Sequence, residues 1–151
     1  MVARSSRPCL PAWPRRPCRL KPKQSLFSMP RFVLLKHDFP FLHWDLMLED
    51  GEILRTWRLL VSPDSTDVLP AQSSFPHRLI YLDYEGPVSG NRGNVKRWDK
   101  GYYEGELPES VLVGDDILII FHGKNFKGSY LISRNEKNTW VLTKHSHEFG
   151  V

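Results

Sequence analysis

The chain has almost no cysteine: two in 151 residues, Cys9 and Cys18, both close to the N-terminus. A thiolate zinc site or a disulfide framework is therefore excluded from everything beyond residue 18, and the usage fits a reducing compartment. Residues 1–28 contain no acidic residue. They carry seven cations (Arg4, Arg7, Arg15, Arg16, Arg19, Lys21 and Lys23) among Pro and Ser, without periodicity. No apolar run approaches the ~18 residues needed to cross a bilayer. The basic N-terminus lacks the continuous apolar core of a secretory signal. No internal repeat and no convincing amphipathic helix is visible. These absences point to a cytoplasmic protein with no membrane association.

The net charge of +4 belongs to that N-terminal stretch. Of 21 basic residues seven lie there, leaving 14 against 17 acidic ones, so the remainder carries −3. A nucleic-acid grip through the whole surface is not expected of a mildly acidic domain, and any such contact must be a local patch. Residues 1–28 read as a disordered basic tail, either an arm for an anionic partner or the product of a start assigned upstream of Met29. Residues 29–151 read as one domain, long enough for a self-sufficient core.

The most informative stretch is His37 to Glu49. From Leu42 to Leu48 it alternates, with Leu42, Trp44, Leu46 and Leu48 on one side and His43, Asp45 and Met47 on the other, as a strand with one buried face requires. Asp50-Gly51 follows as a hairpin signal. With these two as the loop, Trp44 should face Trp57, Asp45 should face Thr56 and His43 should face Arg58. His37, separated by the Phe39-Pro40-Phe41 bend, is free to fold back toward His43 and Asp45. Two imidazoles and a carboxylate suit a divalent transition metal with open coordination positions, although a His-x-Asp pair on a strand face is also found simply solvated.

Around this hairpin, Arg31 to Lys36 reads as a first strand. Val61 to Phe75 reads as a loop with one helical turn near Ser65 to Leu69. Pro76 to Tyr81 reads as a strand with His77, Leu79 and Tyr81 on one face and Arg78 on the other. Gly86 to Gly93 is a glycine-rich loop, and Asn94 to Tyr103 a strand bending near Gly101. Ile117 to Phe121 is expected to be a short, fully buried strand. Gly128 to Arg134 and Thr139 to His145 form a closing hairpin. Seven or eight strands with regular turns give an all-β barrel or sandwich. Arg92, Lys96, Arg97 and Lys100 are the dense basic cluster of this region. They suit either a nucleic-acid backbone or a lysine-defended strand edge.

In order along the chain, several groups resemble the 3′-phosphoesterase domain of bacterial DNA ligase D, the enzyme of non-homologous end joining. They are His37 with His43-Trp44-Asp45-Leu46-Met47-Leu48-Glu49, the Trp57 strand, Pro76-His77 with Tyr81, and Tyr84-Glu85-Gly86. Trp98-Asp99-Lys100-Gly101, Gly123 to Gly128 and Trp140 to Lys144 complete the set, in what looks like a stand-alone form. The resemblance implies a small closed or partly closed antiparallel β-barrel with a manganese site on its outer face, held by His37, His43 and Asp45. It implies a hydrolase that trims DNA 3′ ends, removing a terminal ribonucleoside and then the 3′-phosphate. His77 would contact the scissile phosphate, as imidazolium or as proton donor to the leaving oxygen, with Tyr81 beside it. DNA 3′ ends, including ribonucleotide-tipped primer–templates, and separate ligase, polymerase and Ku proteins are the implied partners.

The departures from the family pattern are specific. Met47 stands where the family has an arginine suited to bidentate phosphate contact. Val61 stands in place of a lysine, and the loop after Gly86 is shorter. Arg58 is the candidate replacement for the missing phosphate contact, and Arg78 a lesser one. The alternative function is a catalytically weakened relative acting as a DNA-end or partner-binding module. A third is a phosphoesterase retargeted to another substrate.

Overall fold

Strand-forming, alternating segments account for the architecture. The computed structural model describes residues 29–145, so the basic tail and both cysteines lie outside the described residues. Nine strands form one antiparallel sheet: β1 (Arg31–His37), β2 (His43–Asp50), β3 (Ile53–Leu59), β4 (Val68–Arg78), β5 (Gly86–Pro87), β6 (Asn94–Glu104), β7 (Asp116–Gly123), β8 (Lys127–Glu136) and β9 (Thr139–Lys144). The neighbour order is β1-β2-β3-β4-β9-β8-β7-β6-β5, and β1 also pairs with β6. That pairing closes every strand but β5 into a barrel and removes the open edges that would otherwise template aggregation. The all-β barrel expected from the sequence is the fold. Among the described residues there is no α-helix, so none is long and apolar enough to cross a membrane.

The interior is filled by one alternate set of side chains. Phe32, Leu34, Leu46, Leu48, Trp57, Leu59, Ile119, Phe121, Ile132 and Leu142 are fully or nearly fully buried in it. Each such side chain contributes about 1.5–3 kcal/mol by leaving water. A second, smaller cluster lies on the other face of β1–β3 and β6. There Val33, Leu35, Met47, Leu54 and Val95 are covered by Leu82, with Leu79, Tyr81 and Tyr84 packed alongside. A 3₁₀ turn, Leu79–Leu82, therefore acts as a cover over part of the barrel's outer surface. Arg31 and Asp83, 2.9 Å apart, tie it to β1.

Several expectations are corrected. The hairpin loop is Gly51-Glu52, because Asp50 already pairs with Ile53. Gly51 takes a φ of 68°, while Glu52 has no positive φ, the type II′ pattern with glycine first. Trp44 consequently faces Leu59, Trp57 faces Leu46, and Asp45 faces Arg58. The two tryptophans still share the interior cluster. Trp57 makes its edge-on ring contact with Trp140, at 5.7 Å.

The expected loop over Val61 to Phe75 is mostly β4, and the expected strand beyond Arg78 is the 3₁₀ turn. β7 is longer than expected and buries only alternate residues, with Ile117, Ile119 and Phe121 inside and Leu118 exposed. In β6 the irregularity falls around Trp98, where the β1–β6 register shifts, rather than at Gly101.

Candidate metal centre

Cross-strand register builds the site. Directly opposed residues share a face, so His37 with His43 forms one row. Arg97, Leu35, Asp45, Arg58 and Gln72 form the next, and Lys100, Val33, Met47, Thr56 and Ser74 the one after. Leu54 opposite His77 extends the same face. His43 and Asp45 are buried, although they stand on the outside of the barrel. The β1–β2 turn lays the Phe41 ring against His43, and the loop after β5 brings the Arg92 carbonyl to His37.

Asp45 Oδ2 lies 3.5 Å from His37 Nδ1 and 3.4 Å from His43 Nε2. One ligand atom from each of the three residues falls within 4.8 Å of the other two. The outward nitrogens explain this orientation. His43 Nδ1 donates to the Phe41 carbonyl at 2.7 Å, and His37 Nε2 to the Arg92 carbonyl at 2.8 Å. Each neutral ring is thereby held in the tautomer that turns a bare lone pair toward Asp45, the outer-shell arrangement of metal-binding histidines. His43 Nε2 is fully buried and has no hydrogen-bond partner. Two lone pairs and a carboxylate oxygen converging in a buried space call for a cation, so the donor set fits a divalent metal. Gly93, at φ +77°, lets this form: a Cβ there would run into Asp38 and Phe39 of the β1–β2 turn.

Without a metal, a proton can supply that positive charge instead. Protonated on Nδ1, His37 can donate to Asp45, which raises its pKa more than burial lowers it. Burial pushes Asp45 upward, but the two facing imidazoles together outweigh it and bring the carboxyl to about 2. Burial dominates at His77 and lowers its pKa, against a weaker opposing pull from Asp45. Thr56 Oγ1 lies 3.0 Å from both the Leu54 carbonyl and His77 Nδ1. With the hydroxyl proton given to Leu54, His77 Nδ1–H donates to Thr56 and to the Phe75 carbonyl, also at 3.0 Å. The other nitrogen, Nε2, is then the chemically open one.

The remaining candidates are distributed around this centre. Tyr81 stands edge-on to His77, ring centroids 5.8 Å apart, and packs on the outer cluster. Arg58 faces Asp45 and lays its guanidinium 5.4 Å from the Phe41 ring centroid. Arg97 flanks the same row from β6, and the buried Nε atoms of Arg58 and Arg97 have no hydrogen-bond partner. Arg78, exposed opposite Ile53, sits next to His77 along the chain but on the alternate side. The basic cluster does not form one patch. Lys100 shares the Met47 row, Lys96 pairs with Lys36 on the alternate face, and Arg92 turns onto Ser89. Met47 is only 1% exposed within the outer cluster, and Val61 packs against the interior core. Sequence reasoning did not find the two carbonyls that orient the histidines, nor Thr56 behind His77. Backbone acceptors leave no residue-type signal.

A model of the DNA Ligase D 3′-phosphoesterase domain matches residues 35–134, a span that includes His37, His43, Asp45, Arg58, His77 and Tyr81. The chain belongs to this family. Among curated proteins, the multifunctional non-homologous end joining protein LigD of Mycolicibacterium smegmatis is 28% identical over 123 residues. LigD of Pseudomonas aeruginosa is 26% identical over 138 residues. These alignments cover 74% and 85% of this chain but only 16% of either relative. As a 3′-phosphoesterase-family domain, the chain thus corresponds to a small part of each multifunctional protein. Met47 lies in the apolar outer cluster beside the His37, His43 and Asp45 group.

Proposed function

We propose that the protein is a divalent-metal phosphoesterase, manganese being the expected ion, that trims DNA 3′ ends for end joining. The observation that carries this reading is the pair of histidines whose outward nitrogens are tied to the Phe41 and Arg92 carbonyls, so that both lone pairs meet Asp45. His37, His43 and Asp45 would hold the ion. When bound, it supplies positive charge for the phosphate oxygens and lowers the pKa of water.

The chain's own residues divide the remaining work. Asp45 stays ionised down to about pH 2, so the ligand charge is constant at working pH. His77 is neutral without substrate because it is buried, and its bare Nε2 can take up the proton released by the attacking water. That supports proton transfer over a standing cationic clamp. Permanent positive charge beside the phosphate falls to Arg58, with Arg97 across the row. Tyr81 steadies the His77 ring by its edge-on contact.

The fully buried Met47 supports a bias in this activity. Without the family arginine, a 3′-phosphomonoester, with its extra charge, is handled less well than the diester of a ribonucleotide-tipped primer. The same residue favours the second reading, a binding module for DNA ends with weakened catalysis. Separate ligase, polymerase and Ku proteins acting on those ends belong to the proposal.

The test is incubation with manganese and end-labelled primer–templates carrying a 3′-ribonucleotide or a 3′-phosphate. Loss of the terminal ribonucleoside is the expected result. Binding of either primer without any product would leave the module reading standing instead.

A further inference from the structure

Phe75 is the most exposed large apolar side chain beside the candidate centre, at 70% exposure. It falls in the stretch expected to be a loop and lies instead in β4. In β4 it occupies a bulge: Thr56 faces Ser74 and Leu54 faces His77, so Phe75 and Pro76 together oppose the single residue Arg55. Bulges of this kind re-aim side chains at functional sites. Here the bulge places the Phe75 ring parallel to the His77 ring, 10° between planes and 5.1 Å between centroids. One face of the phenyl ring therefore rests on the imidazole, and the other is left to solvent. An exposed phenyl on an otherwise well-filled barrel costs hydration without contributing to the core. Its free face is turned away from the imidazole that the proposed reaction uses, so a base stacked there would lie one ring further out from His77.

We infer that Phe75 is the stacking platform for the nucleobase of the 3′-terminal nucleoside, so that the site distinguishes ends bearing a base from abasic ends. The inference rests on the proposed action at DNA ends and names what positions the terminal nucleoside there. A flat aromatic surface recognises any base by its π-face and carries no sequence preference. The phosphate of the same nucleotide would then lie toward His77 and Arg58, a division of labour between stacking and charge common in single-strand recognition. Phe75 is a positioning residue in this account, since it touches the base and not the reacting atoms.

The experiment measures binding in EDTA, where no cleavage occurs. It uses a primer–template ending in 2-aminopurine ribonucleoside and the same duplex ending in an abasic ribose. Phe75→Ala should weaken binding of the base-bearing end roughly 5- to 150-fold, the range of base–aromatic stacking. Phe75→Trp should retain binding and quench the 2-aminopurine. Phe75→Leu, which keeps apolar area but not the ring, should resemble alanine. The abasic end should bind wild type and Phe75→Ala equally. Equal weakening of both ends by Phe75→Ala would mean that the ring only supports His77, and would overturn the inference, as would no change at either end. Cleavage by the wild type with manganese is recorded in parallel. Its absence counts against the phosphoesterase reading, whereas normal cleavage with Phe75-independent binding overturns the stacking inference alone.

Discussion

Asp45 and Arg58 face each other across the β2–β3 hairpin, the carboxylate turned to two histidines and the guanidinium turned to the Phe41 ring. The buried Nε of Arg58 has no hydrogen-bond partner, so the group is held beside the centre with donor capacity to spare. Arg58→Ala should cost ~1.5–3 kcal/mol of interaction with an anionic substrate. That is roughly one to two orders of magnitude in kcat/KM. The metal-induced rise in Tm should survive, because Arg58 is not a ligand. An unchanged rate in Arg58→Ala would remove it from the phosphate contact.

Met47 lies fully buried in the barrel's outer cluster, in the row next to that of Asp45. Met47→Leu conserves volume and should cost less than ~1.5 kcal/mol, with no change in rate. Met47→Arg should lower stability, since it puts a charge into the layer formed by Val33, Leu35 and Leu54. Where the guanidinium reaches the phosphate, the same variant should raise 3′-phosphate release. Thermal melts and phosphate release measured on one preparation check both arms. A wild type that already hydrolyses 3′-phosphate as fast as it removes ribonucleosides would contradict the assigned bias.

The metal-free centre has a definite pH signature. His37, raised above its ordinary 6.5, contributes stability that is present below pH 6.5 and lost as pH rises through its folded pKa. Asp45, brought from 3.8 to about 2, contributes stability present above pH 3.8 and lost as pH falls toward 2. Their pair is therefore fully engaged between roughly pH 4 and 6.5. Asp45→Asn should cost more stability at pH 5 than at pH 8 in urea melts with EDTA. Added manganese should reverse the trend, because ligands must be deprotonated to bind. An equal cost at both pH values would uncouple Asp45 from His37.

Away from the centre, Asp99 organises the β7–β8 turn. This buried carboxylate accepts the backbone N–H groups of Lys124, Asn125 and Phe126 at 3.2, 2.9 and 2.6 Å. Asp99→Ala would strand three donors and should cost about 3 kcal/mol or more. Breaking the exposed His122–Glu104 pair by Glu104→Gln should cost under about 1 kcal/mol despite its 2.6 Å separation. Chemical denaturation of the two variants side by side makes the comparison.

The sequence revealed which face each hairpin residue takes but not the register. The alternation sorts Trp44, Leu46 and Leu48 to one face and His43 and Asp45 to the other, although β2 turns out to be buried on both faces rather than on one. The register error was two residues, and an even slip leaves every side chain on its own side. That is why the His37, His43 and Asp45 grouping was legible while the partner of Asp45 was not.

β4 was hidden because Pro70, Ser73, Ser74 and Pro76 read as loop. It pairs with β9 over Val68 to Ala71 and with β3 over Ala71 to Arg78. Pro70 uses only its carbonyl toward the β3 side, accepting from Leu60 N–H, and Pro76 lies in the bulge, so neither position needs an N–H for the ladder. Phe75 became visible as a site residue only through the bulge. A shift in pairing between distant strands leaves no local pattern.

The account stands on the claim that His37, His43 and Asp45 hold a metal ion. The direct measurement is a calorimetric titration of manganese into the metal-free protein, beside a His43→Gln, Asp45→Asn double variant that keeps side-chain volume and is shown by its melt to be folded. The account predicts one ion per chain for the wild type and none at the same concentrations for the variant. No binding by the wild type, or the same stoichiometry and affinity in the folded variant, would contradict it.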